Sequence, residues 1–89
     1  MKIESEKDFT ELQSQFALWR KRFPMFTHDV QQVERIVNQH IQAHSRIMVM
    51  YRQTHSKSHL AQAQHELDEI NRVIGTVEKI ELMAMLSRG

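Results

Sequence analysis

Two histidines one helical turn apart, His40 and His44, are the residues in this chain best placed to do chemistry. H-x-x-x-H on a helix puts both imidazoles on one face, a spacing that chelates zinc, nickel or copper once other ligands join. Glu66 is the candidate third ligand. Read across a turn near residue 56, it falls on the inner half of the next helix, within reach of His44. A His40, His44, Glu66 trio would hold a divalent transition metal and leave a position open. The competing reading is structural. Imidazoles inside an apolar seam need partners, because an unpaired buried polar group costs about 1–3 kcal/mol. A carboxylate, or a ring from a second copy across a dimer axis, supplies one. A third use is a pH-sensitive contact, since histidine is the side chain that titrates close to neutrality. His55 and His59 repeat the spacing but straddle the turn, so the argument does not extend to them. His28 and His65 read as surface residues.

Helices must position these rings. At ~100° per residue, Val30, Val33, Val37, Ile41, Ile47, Met48 and Tyr51 share one side of a helical wheel, with His40 and His44 inside the arc. The pattern predicts a helix over 28–54, capped by Thr27, with Asp29 in its first turn. The next eight residues, RQTHSKSH, carry no apolar side chain, which places a turn near 55–57. No glycine marks that turn, so one continuous helix over 28–86 is the alternative. A helix over 58–86 follows, capped by Ser56 or Ser58. Its inner face is Leu60, Ala63, Leu67, Ile70, Val73, Ile74, Val77, Ile80 and Ala84. Gly75 sits mid-helix, where close approach of a neighbour would explain it. Asp68 with Arg72 makes an i, i+4 pair, and Glu81 on the inner face calls for a cation such as Arg35.

The N-terminal third has a different character. Phe9, Leu12, Phe16, Trp19, Phe23 and Phe26 alternate steps of three and four, a mostly aromatic heptad seam. It predicts a helix over 6–22, capped by Ser5 with Asp8 three residues on. Pro24 ends it at or before Phe23, because the residue before proline is pushed out of the α region.

Composition narrows the function classes. With 89 residues the chain is long enough for one domain, 1–89, and not two. It has no cysteine, which excludes disulfides, thiolate metal sites and cysteine nucleophiles. Two glycines and one proline argue against hairpins of strands and against disorder. No apolar run approaches the ~18 residues of a membrane span. The start, MKIESEKDF, lacks the character of a secretory signal, so a cytoplasmic location is expected. The glycines fit no phosphate-binding loop, and no serine or threonine has a histidine and an acid at triad spacing. An enzyme is therefore not expected. Charge is segregated into an acidic start, a basic middle and an acidic end. A basic middle helix beside an acidic last one accounts for this. Nucleic-acid binding through Arg20, Lys21, Arg22, Arg46 and Arg52 is an alternative, but the cations are spread too thinly for a dense patch.

The expected fold is all-α: a long antiparallel helical hairpin with a short aromatic N-terminal helix, forming a dimeric helical bundle. Residues 82–86, LMAML, are apolar around the whole helix, which suits a subunit or partner contact. The function expected is a non-enzymatic protein-interaction module, homodimeric, serving as adaptor, regulator or chaperone-like partner. Its contacts would be Phe9, Phe16, Trp19 and Phe23 together with Leu82, Met83, Met85 and Leu86. A metal-binding or metal-sensing bundle built on His40 and His44 is the second reading.

Overall fold

The structure, a computed structural model, describes residues 1–87. Three α-helices account for most of them: α1 (Phe9–Arg22), α2 (Thr27–Thr54) and α3 (Lys57–Ser87). Short 3-10 turns, Glu6–Asp8 and Pro24–Phe26, lead into α1 and α2. No strand occurs among the described residues, and no helix among them is long and apolar enough to cross a membrane. The molecule is a rod of 53 × 18 × 17 Å.

Local chemistry explains where each helix starts and stops. Ser5 and Asp8 form a capping box: the Ser5 hydroxyl accepts from the Lys7 amide at 3.4 Å, and an Asp8 carboxylate oxygen accepts from the Ser5 amide at 3.3 Å. The same oxygen accepts from the Glu4 amide at 2.8 Å. Phe23 leaves the helical region, with φ −121° and ψ 67°, as a residue before proline must. Thr27 is not the cap expected for α2. It is the first helical residue, and its hydroxyl donates backwards to the Pro24 carbonyl at 3.0 Å.

Between α2 and α3 the chain turns at His55 and Ser56, which removes the alternative of one continuous helix. His55 has φ 53°, the left-handed position that usually belongs to glycine after a helix. Its amide donates to the Tyr51 carbonyl at 2.7 Å. The Ser56 carbonyl in turn accepts from the His59 amide at 3.1 Å as α3 begins.

The core is one cluster drawn from all three helices. Leu12, Phe16, Val30, Val37, Ile70, Ile74 and Val77 have essentially no exposed surface. Phe9, Trp19 and Phe23 join them, so the whole aromatic seam packs in cis against α2 and α3. Phe16 and Trp19 meet edge to face at 5.2 Å. Ion pairs fix α1 at its far end: Arg20 bonds Glu34 of α2, and Arg22 lies 3.7 Å from Glu81 of α3. Glu81 thus takes Arg22 and not Arg35, because the end of α1 reaches α3 first.

A further element has no counterpart in the pattern of the sequence. Ile3 is buried, and Asn71 holds its backbone at both ends. The Asn71 carbonyl oxygen accepts the Ile3 amide at 2.7 Å, and the Asn71 amide donates to the Ile3 carbonyl at 2.9 Å. One side chain therefore does for this segment what a neighbouring strand would do. Gly75 has open space around it: an added Cβ would meet nothing within 4 Å, so no close neighbour explains it. Arg72 pairs with Glu69 at 2.7 Å and not with Asp68, which instead accepts from Gln64 at 3.0 Å.

Candidate functional site

The two histidines occupy different surroundings. Four residues at 100° each leave them about 40° apart around the helix axis. That rotation is enough to aim His40 at α3 and His44 at α1. The His40 Nδ1 lies 2.5 Å from a Glu66 carboxylate oxygen, with both groups half-buried at the α2–α3 border. His44 is 4 % exposed and meets the edge of the Phe9 ring at 5.2 Å, the planes 87° apart. Glu66 therefore serves His40, not His44 as the register suggested.

The second imidazole has no such partner. Its Nδ1 is buried without a hydrogen bond, as is the Trp19 indole N–H. Burial holds the His44 pKa below the ordinary 6.5, while Glu6 and Glu66 pull weakly the other way. A cleft of about 220 Å³ adjoins the ring, with Glu4, Glu6, Met48, Leu60 and Gln64 among its walls. His40, His44 and Glu66 do not converge: among the described residues, no group of three or more His, Cys, Asp or Glu side chains is placed to hold a metal ion. The arrangement joins helices and fills a core.

The apolar end of the rod is different. The α1–α2 turn and the last turns of α3 come together there. Arg22, Phe23, Pro24, Met25, Phe26 and Ala84 wall a cleft of about 330 Å³. Met25, on its wall, is 91 % exposed, and on the other sides of the last turns of α3 Leu82, Met83, Met85 and Leu86 stand between 49 % and 72 % exposed. Arg22 lies over the Phe23 ring, 5.5 Å from its centroid, and holds that edge of the cleft.

The residues expected to contact a partner thus divide in two. Phe9, Phe16, Trp19 and Phe23 are buried within the chain, none more than 8 % exposed. They offer a partner almost no surface, which corrects the expectation that they form a contact face. Their seam was a true sign of burial, and the groove of α2 and α3 is what buries them. Leu82, Met83, Met85 and Leu86 remain in the open. Met25 belongs with them at 91 % exposed: the sequence reads it, like the other methionines, first as a filler of core or dimer gaps, and a lone methionine after proline has no periodicity to say which face it takes. Arg20, Arg22 and Arg52 are engaged with Glu34, Glu81 and Glu6, which leaves the basic segment with few free cations for a nucleic-acid backbone.

Compared with known proteins, the chain matches no family model, no curated protein and no solved structure.

Proposed function

We propose that this chain is a small non-enzymatic interaction module: a single domain in which α2 and α3 form an antiparallel hairpin, α1 lies in its groove, and the apolar end presents a contact to another protein chain. The two-residue link at His55–Ser56 and the His40–Glu66 bond support the hairpin. The observation that carries the function is the end itself. Met25 and the last turns of α3 expose five large apolar side chains at one end of the rod, whereas scattered single exposures are what an ordinary surface shows. Such a patch costs solubility unless something covers it.

A photo-crosslinking amino acid placed at Met85 tests the reading, with the same group at Gln62 on the polar face of α3 as control. An adduct with a protein chain at Met85 and none at Gln62 is expected in the cells that make the protein. No adduct at Met85, or equal labelling at both positions, would retire it.

A further inference from the structure

We propose that the cleft beside His44 is a binding site for a small organic cation, a protonated amine carried on an apolar body. It lies in the half of the rod nearer the α2–α3 turn, apart from the apolar end. Three observations point this way. The first is the imidazole itself. His44 is one wall of the cleft, is 4 % exposed, and has a buried Nδ1 with no hydrogen-bond partner. A buried polar side chain left unpaired is uncommon in a folded chain and calls for a group to bond it. Phe9, at the ring edge, has no polar side-chain atom to offer, so a partner enters from the cleft. Burial keeps the ring neutral at neutral pH. It can therefore accept from an N–H donor and does not repel a cation.

The second is the sign of the other polar walls. Glu4 and Glu6 of the N-terminal segment bring two carboxylates to the cleft. Arg52 reaches Glu6 only at 3.7 Å, with both side chains half or more exposed. Glu4 has no ion-pair partner among the described residues. Carboxylates accept hydrogen bonds and do not donate them, so the complementary group is a positively charged donor. The third is the rest of the lining. Met48, Leu60, Ala63 and Leu67 supply hydrocarbon from α2 and α3. Apolar walls with a few convergent polar groups are the usual make-up of a small-molecule site. At about 220 Å³ the space exceeds the roughly 150 Å³ that accepts a benzene ring. A short aminoalkyl arm fits beside such a ring, which makes phenethylamine a ligand of the right size. The ammonium group comes from a free amine or from a lysine side chain of another protein, and the experiment separates the two.

Calorimetric titration and two-dimensional NMR of the full chain test this with phenethylamine, using phenylethanol and phenylacetate as its neutral and anionic matches. Phenethylamine is expected to bind more than about tenfold tighter than either, and to shift the His44 ring and the Glu6 and Gln64 amides. Glu4→Gln combined with Glu6→Gln is expected to weaken it more than about tenfold, as removal of opposite charges beside a cation does. Arg52→Gln frees Glu6 and is expected to tighten it. His44→Phe removes the nitrogens, keeps the ring edge against Phe9, and is expected to weaken it. The NMR spectra show whether each variant keeps its fold. Acetyl-lysine methylamide presents the ammonium as a protein would. Tighter binding than phenethylamine assigns the site to a partner's lysine; weaker binding assigns it to a free amine. Binding of neither overturns the site. So does phenethylamine that binds no better than phenylethanol, that binds a folded double glutamine variant unchanged, or whose shifts avoid His44.

Discussion

Helix α3 passes through two environments with much the same kind of side chain. Ile70, Ile74 and Val77 are sealed from water, while Leu82, Met83, Met85 and Leu86, one to two turns further on, are half to three-quarters exposed. The difference is one of helix face. Ile70, Ile74 and Val77 lie on the side of α3 turned to the core, a side that Ile80 continues and that ends with Ala84 packed on the core near Phe26. At ~100° per residue Leu82 and Leu86 stand on the opposite side, with Met83 and Met85 on its flanks. An apolar run states that surface must be hidden; the side it takes on the helix decides whether the chain itself hides it.

Substitutions at matched positions give the widest separation between the two environments. Ile74→Ala is expected to destabilise by about 2–5 kcal/mol, the cost of lost burial plus a cavity. Leu86→Ala is expected to stay within about 0.5 kcal/mol when measured on the monomer. Urea unfolding monitored by circular dichroism compares them. Equal losses at both positions would mean that the end of α3 is covered in cis after all.

Acid bears on the covered region through His44. The His44 pKa is lowered in the folded chain, so the unfolded state binds the extra proton more readily. Stability is therefore full above pH 6.5 and falls as pH drops from there toward the folded pKa. His44→Phe keeps an edge contact with Phe9 and removes the titration. Its unfolding midpoint is expected to be flatter than that of wild type between about pH 7 and 5. Parallel pH profiles would show that the ring is not sealed.

Smaller effects sharpen the picture further. Asn71→Leu removes two hydrogen bonds to Ile3, and a loss of about 1–2 kcal/mol is expected. Faster hydrogen exchange at the Ile3 amide should accompany it, with Ile74 little changed. Gly75→Ala is expected to stabilise by roughly 1 kcal/mol, because the helix gains propensity and the methyl meets nothing. A rise in thermal midpoint checks it, and a fall would place an unseen neighbour there.

Periodicity carried most of the fold. Phe9, Leu12, Phe16, Trp19 and Phe23 recur at helical spacing, and all five are buried. Ser5, Pro24 and the apolar gap after Tyr51 set helix limits that lie within a few residues of those observed. Single contacts were less legible. Ile3 stands alone in a polar stretch, and no spacing rule links it to Asn71. Glu66 was placed on the correct border but against the wrong histidine, because register counts residues and ignores the 40° that separates two positions four apart. The aromatic seam proclaimed burial without saying in which chain, and that ambiguity moved Phe9, Phe16, Trp19 and Phe23 onto an expected contact surface. No pattern distinguishes a groove in cis from one in trans; only the packed chain does.

The clamp on Ile3 spans 68 positions of sequence, whereas α2 and α3 meet across a two-residue link. Contacts between near neighbours in sequence close first, and distant ones must wait for the loop between them to be organised. Sequence separation thus predicts that α2 and α3 pair first, α1 docks next and the segment before Ser5 is latched last, with opening expected in the reverse order. A protease added under native conditions would find the N-terminal latch as its first substrate, and its cut there would loosen the lid over the imidazole that the fold otherwise keeps dry.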